Sequence, residues 1–450
     1  MRRFSRQALF IVIAALALGM AGGAAGTPKV VFTDTTLANG LRVIIAEDHH
    51  APVYSIAISY NVGSRDERKG RTGFAHLFEH MMFKGSQNVG PGEQFVLIFN
   101  NGGNMNGTTD NDRTLYYETL PANQLDLALF LESDRMKSLD ITQANLDNQR
   151  QAVQEERRLR VDNQPYGKTA ELLGHLAYQN FAYQHSVIGS MDDLNAASVQ
   201  DVAAFFKTYY APNNAALAIV GDVKAADCLA RVRTYFEAIP SQPPPAPVDM
   251  TEPAQTAEHR QTIEDALARA TRIDVAYHVP PSNSADDEPL SVLATVLTGG
   301  RSSRMYEDLV RQKQLTTGVG AGTNGVRGPQ LFQFSATALP GKAIADVEAG
   351  IYADLEKVKT EPIADWEIQK ARNNAKRGIV SGLGSSLTRA TQLADDAVLY
   401  GDPGLINTKI DKINAVTAAD VQRVAKTYFT PENRTVVITN PKAAAPKGGV

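Results

Sequence analysis

A single cysteine, Cys228, stands in 450 residues, so this chain has no internal disulfide framework. Because that cysteine lies far from the N-terminus, a lipid anchor at an export signal is excluded as well. Charge of one sign is also lacking. The net charge is −4 with no long single-sign run, which leaves no electrostatic case for nucleic acid, whose binding relies on clustered Lys and Arg against phosphates. Glycine and proline, at 34 and 22 residues, are too few for a disordered or fibrous chain. The one long apolar stretch, Ala8 to Met20, is short for a membrane span.

That stretch follows Arg2, Arg3 and Arg6 and precedes the small residues Ala21 to Gly26, the order of an export signal. The reading is a signal peptide over 1–25, cleaved near Ala25, with no membrane span after its removal. The mature protein is then periplasmic or secreted, from a Gram-negative bacterium. The remaining composition, 43% apolar and 21% charged, is that of a packed globular protein, and the length exceeds what one hydrophobic core sustains.

Two related halves account for the length. Leu194-Asn195-Ala196 recurs as Ile413-Asn414-Ala415, Asp201-Val202 as Asp420-Val421, and Lys207-Thr208-Tyr209-Tyr210 as Lys426-Thr427-Tyr428-Phe429. Pro212, Asn214 and Ile219 then match Pro431, Asn433 and Ile438 at the same separation of 219 residues. In each copy an apolar-spaced helix ends before a proline that cannot continue it, and a short strand follows, Ala215 to Val220 and Arg434 to Ile438.

The segment Ser241 to Pro247 is rich in proline and reads as a semi-rigid linker. The expected organisation is a first domain over 30–240, a linker over 241–256 and a homologous second domain over 257–442. Strand patterns at Gly40–Ile45, Tyr54–Tyr60 and Arg272–His278 alternate with helical patterns near 92–101, 122–137 and 142–161. Each half is therefore expected to be α+β, a mostly antiparallel sheet with helices packed on it.

The chemistry concentrates in His76-Leu77-Phe78-Glu79-His80. No proline or interior glycine interrupts Phe74 to Phe83, so the spacing predicts a helix. At ~100° per residue His76 and His80 lie about 40° apart, one turn from each other, with Glu79 on the same side. Two imidazoles so placed can meet one ion. Zinc suits two neutral imidazoles and a carboxylate, keeping a fourth position for water whose pKa it lowers, and Glu79 is spaced to act as the general base on that water. The third ligand must come from elsewhere, and the best carboxylates lie in Val153-Gln154-Glu155-Glu156-Arg157-Arg158. An ordinary amphipathic helix would also align His and Glu at these spacings, so the flanks must decide.

Those flanks are Leu37 to Val43, Asn61-Val62-Gly63-Ser64-Arg65-Asp66-Glu67 and Gly73 to Gly85, followed by Asn106, Thr109, Asp112, Thr114 and Tyr116, then Pro165-Tyr166-Gly167, Ile188-Gly189-Ser190, Tyr210 to Ala215 and Gly221-Asp222. Together they resemble the pitrilysin and insulinase family of inverted zinc metallopeptidases, in particular its short bacterial members similar to mitochondrial processing peptidase. The resemblance covers nearly the whole mature chain. It implies two similar α+β domains closing as a clam around a chamber, and an extended peptide substrate added to an edge strand near Gly103 to Thr109, with Asn106 on that strand.

It also implies a third zinc ligand some seventy-odd residues after the second histidine. Glu156, 76 positions beyond His80, fits better than Glu155. Two departures from the family pattern stand out. Gln149 replaces a second glutamate, and the C-terminal Arg and Tyr that hold the substrate carbonyl are reduced to Arg311, with no tyrosine after it in Gln312 to Gly318. Related short proteins often pair a zinc-bearing subunit with one bearing the Arg and Tyr, so a homologous partner, as heterodimer or homodimer, is expected. The competing expectation is a non-catalytic scaffold subunit of the same fold.

His49 and His50 adjoin Pro52 in a turn between the first two strand patterns. His175, His185, His259 and His278 lack ligand partners at useful spacing and read as hydrogen-bonding residues. Gly299-Gly300-Arg301-Ser302-Ser303 lacks a P-loop lysine and reads as structural punctuation.

Overall fold

The computed structural model describes residues 29–442, so the expected signal peptide lies outside the described residues. No helix among them is long and apolar enough to cross a membrane.

The fold is α+β with two sheets. The first has six strands in the order β1-β2-β6-β3-β5-β4, namely β1 (Thr33–Thr36), β2 (Arg42–Glu47), β3 (Val53–Tyr60), β4 (Asn104–Thr109), β5 (Thr114–Pro121) and β6 (Ala215–Gly221). The second has five in the order β7-β11-β8-β10-β9, namely β7 (His259–Asp265), β8 (Arg272–Val279), β9 (Thr316–Thr323), β10 (Gln330–Ala338) and β11 (Arg434–Pro441). Setting β1 aside, the two orders are the same pattern. In both, one parallel pair, β2 with β6 and β7 with β11, is followed by antiparallel neighbours. Strand β7 was not foreseen from the sequence. It is mostly exposed and lacks apolar alternation, so only its pairing with β11 identifies it.

The sequence repeat reappears residue for residue in local structure. Among the helices, α1 (Phe74–Met81), α2 (Gln143–Arg157), α3 (Gly167–Ala177), α4 (Val199–Tyr209), α5 (Ser386–Tyr400) and α6 (Ala418–Tyr428) position the site and its braces. Helices α4 and α6 begin with equivalent capping boxes, Ser198 with Asp201 and Thr417 with Asp420, each satisfying backbone N–H groups that a helix start leaves unpaired. Past the helix ends, the Asn214 and Asn433 amides donate to the carbonyls of Tyr209 and Tyr428, which closes the same turn into β6 and β11.

The two halves exchange helices. The outer face of the first sheet, where Ala57, Ala216 and Ala218 are small, is covered by Ala390, Leu393, Ala394 and Ala397 of α5 from the second half. Conversely, Leu173 and Ala177 of α3 from the first half pack on Ala276, Leu331 and Val437 of the second sheet. Both faces of the central strands are thus buried, which explains why β6 is apolar throughout rather than alternating. The opposite face of the first sheet holds the larger core, in which Ile56, Ile58, Leu217 and Ile219 meet Leu77, Phe78 and Met81 of α1.

Candidate active site

Helix α1 starts without a side-chain cap of its own. Its N-cap, Gly73, has a φ of 84°, a left-handed conformation that favours glycine. The carboxylate of Glu67 reaches across instead, accepting the N–H of Gly73 at 2.8 Å and of Ala75 at 2.8 Å. A buried negative charge there suits both the orphan donors and the helix dipole. The Glu67 side chain is fully buried, and its remaining partner is His185 Nε2 at 3.0 Å.

The apolar face of α1 is fastened by Phe78, whose ring lies 4.1 Å from Tyr210 and 5.6 Å from Phe205, centroid to centroid. The other side of α1 presents His76 and His80, edge to face with centroids 4.8 Å apart. Helix α2 brings the third group. It is capped by Thr142, whose hydroxyl accepts the N–H of Asn145, and it is seated by buried Leu146 and Val153. Glu156 Oε2 then lies 3.6 Å from His76 Nε2 and 3.3 Å from His80 Nε2. One donor atom from each of His76, His80 and Glu156 falls within 4.8 Å of the others. The neighbouring Glu155 is exposed and paired with Arg158.

This donor set fits a zinc ion. Burial, followed by the nearby charge of His80, pushes His76 down to about 4, so the imidazole is in the neutral form that ligates. Glu156 is held below the usual carboxylate range chiefly by its hydrogen bond with His80, and a ligating carboxylate must be ionised. Two imidazoles and one carboxylate leave a coordination position open, as in hydrolytic zinc sites. His76 Nδ1 is buried without a hydrogen-bond partner, an unusual state for a buried polar atom.

Glu79 lies beside these three, buried. Its Oε2 accepts the Thr109 hydroxyl at 2.6 Å. Burial raises the Glu79 pKa and the Thr109 bond opposes the rise. Thr109 ends β4, the edge strand of the first sheet. On the same strand Gly107 has no room for a side chain, since an added Cβ would lie 3.1 Å from Glu79 Cγ and Oε1 and 3.2 Å from the Phe83 ring. Asn106 is exposed on β4, its amide oxygen accepting the N–H of Gly107. Arg113 braces the strand from behind, donating to Thr108 O and Oγ1 and to Asp395 of α5, so the second half supports the first half's site.

Arg311 makes no hydrogen bond or ion pair with this group. It is 71% exposed, and its guanidinium pairs with Glu307 one turn away, at 3.0 Å. The turn after it is made by Gln314 at a φ of 52°. Gln149 is buried and donates to Asn148. His49 pairs with Asp222 and Glu47 at the surface. Sequence reasoning missed Glu67 and Thr109 as supports of the site, because neither carries a local spacing signal. It also left His185 among ordinary hydrogen-bonding residues.

The chain as a whole is similar to known proteins. Residues 42–190 match the family model described as insulinase, peptidase family M16, and residues 196–375 match the one described as the peptidase M16 inactive domain. The Zinc protease PqqE of Helicobacter pylori is 30% identical over 410 residues, spanning 90% of this chain and 92% of the relative. The crystal structure of a protease from Helicobacter pylori superposes with a TM-score of 0.87 at 29% identity, covering 92% of this chain and 100% of that one. A peptidase M16 inactive domain from Pseudomonas fluorescens has the same fold, with a TM-score of 0.83 at 18% identity over 92% of this chain and 99% of the other.

Proposed function

Since the chain belongs to the insulinase family of peptidases, M16, we propose that it is a zinc-dependent endopeptidase of extended peptides in the cell envelope. The observation that carries this reading is the convergence of His76, His80 and Glu156 beside the buried carboxylate of Glu79. His76, His80 and Glu156 would hold the zinc ion, which would supply Lewis acidity and lower the pKa of a water molecule towards neutrality.

The protein's own groups do the rest. Glu79 takes a proton from the attacking water at its carboxylate and returns it to the leaving amine. Thr109 holds one Glu79 oxygen, which aims the other. The free edge of β4 pairs with the backbone of an extended peptide, and Asn106 lies along that path.

The partner is part of the proposal. Arg311 is engaged with Glu307, and no tyrosine lies between Arg311 and Tyr352, which supports this chain being the zinc-bearing subunit of a dimer with a homologous chain. Turnover by a purified monomer as fast as by a reconstituted pair would end that idea. Export rests on the N-terminal pattern of basic, apolar and small residues, and fractionation of cells expressing the full chain tests it.

The inactive-domain match, residues 196–375, contains none of His76, Glu79, His80 and Glu156, and it favours a scaffold only if those residues were also inert. Substitution Glu79→Gln separates the readings. Zinc should remain bound while peptide cleavage disappears. Unchanged cleavage would refute the mechanism, and absence of zinc-dependent cleavage in the parent would favour the scaffold.

A further inference from the structure

Peptide hydrolysis builds negative charge on the carbonyl oxygen under attack, and a donor aimed at that oxygen is among the largest contributions a site makes. Two guanidinium groups act electrostatically on the residues of this site. Arg113 acts on Glu79, and Arg160 acts on His76 and Glu156. They differ in what remains free. Arg113 is mostly buried, and its donors are committed to Asp395, Asp110 and Thr108. Arg160 is 74% exposed, and among the described residues its guanidinium has one partner, Glu156 Oε1 at 2.8 Å.

The carboxylate of Glu156 is thereby divided, with Oε2 toward His76 and His80 and Oε1 toward Arg160. A guanidinium carries five N–H donors in a rigid fork, so most of them stay available beside the metal ligands. The backbone supports this placement. At the end of α2 the chain widens into a π-helical turn over Arg158–Asp162, a rare conformation concentrated at functional sites. Arg157, just before it, is bolted to Glu171 and to the carbonyl of Gly189, so the turn that carries Arg160 is anchored although Arg160 itself is exposed. Arg311 also lies in a π-helical turn, Tyr306–Gln312, and is similarly exposed, but its partner is Glu307 and not a residue of this site.

We infer that Arg160 is a substrate-facing cation of this site: its guanidinium is ion-paired with Glu156, and its free donors face the carbonyl oxygen of the scissile peptide as it gains charge. The inference rests on the peptidase reading above. It assigns to this chain a catalytic group that touches substrate, besides whatever a partner subunit supplies.

The test uses the full zinc-loaded protein and the variants Arg160→Gln and Arg160→Lys, with three readouts: turnover of an extended peptide, binding of a phosphinic peptide by calorimetry, and zinc affinity by chelator competition. A phosphinic group mimics the tetrahedral anion. For Arg160→Gln, kcat should fall about 100-fold, as for loss of one oxyanion donor, with KM and zinc affinity within about threefold of the parent. Phosphinic-peptide binding should weaken by a comparable factor, and Arg160→Lys should recover part of the loss because it keeps the charge without the fork.

Zinc-saturated Arg160→Gln with kcat and phosphinic binding unchanged would overturn the inference. So would a loss that tracks zinc affinity and is reversed by added zinc, because Arg160 would then only position Glu156. A parent that binds the phosphinic peptide in an Arg160-dependent way but turns over no peptide, alone or with its partner, would sink the peptidase reading and with it the catalytic role, leaving Arg160 only as a contact to the anionic group. A parent that does not bind the phosphinic peptide overturns it.

Discussion

Thr109, at the end of an edge strand, donates its hydroxyl hydrogen to Glu79 Oε2 over 2.6 Å, and so joins the helix that carries the proposed general base to the strand that would carry the substrate. Burial raises the Glu79 pKa and this bond lowers it. In Thr109→Val the opposing contribution is gone, so the carboxyl keeps its proton to higher pH and the base is ionised over a narrower range. The acid limb of kcat/KM should move upward in pH, while Thr109→Ser should keep the parent profile. An unshifted limb in the valine variant would show that the bond does not tune the base.

Gly107 sets the distance between that strand and Glu79. An added methyl group at 3.1 Å from the Glu79 side chain must push the base aside by a few tenths of an ångström. Gly107→Ala is expected to lower kcat about 10-fold or more, in line with the sensitivity of catalysis to small misplacement, with zinc affinity little changed. Steady-state kinetics beside chelator competition would check this, and full activity would mean that Glu79 has slack.

Glu67 is the cap that α1 cannot supply from its own first turn. Glu67→Ala leaves the Gly73 and Ala75 N–H groups and the His185 ring without their acceptor, at a cost of about 2–4 kcal/mol for unpaired buried polar and charged groups. Urea unfolding should report this loss, and Glu67→Gln, which keeps an acceptor, should lose less. A variant within about 0.5 kcal/mol of the parent would contradict the role assigned to the carboxylate.

Asp396 makes stability depend on pH from a place remote from the chemistry. Its Oδ2 is buried on α5 without a partner, and burial pushes its pKa up to about 7 from 3.8, against the attraction of Lys409. The folded protein therefore binds this proton more tightly than the unfolded chain. The resulting stability is present below about 3.8 and is lost as pH rises through about 7, a change of at most about 4 kcal/mol. Asp396→Asn should match the parent at pH ~4 and exceed its stability at pH ~8. Equal unfolding midpoints at the higher pH would refute the assignment.

The candidate site was legible in the sequence where its groups are neighbours. His76, Glu79 and His80 sit within five residues on one helix, so a 3.6-residue period places them on one side before anything is known of the fold. The repeat was legible for a related reason. Helix α4 and helix α6 each carry their own cap, apolar face and stop signal, and such signals act over a few residues. Choosing Glu156 over Glu155 needed the family resemblance. Both lie on α2, and what separates them is that Glu155 turns to Arg158 in solvent while Glu156 faces the histidines.

What the sequence alone determined is a repeated α+β chain bearing a helix with two histidines and a glutamate on one side, because hydrophobic period, capping and side-chain spacing are written in neighbouring residues. The tertiary structure decided the rest: that Glu67 and His185 hold the start of that helix across 118 residues, that Thr109 reaches Glu79 from another element, and that each half lends a helix to the other's sheet. It also decided that Arg311 turns to Glu307 while Arg160 stands at the ligand carboxylate. These contacts join residues with no common period, and their partners are set by packing and by the need to pair buried charge, which only the folded chain resolves.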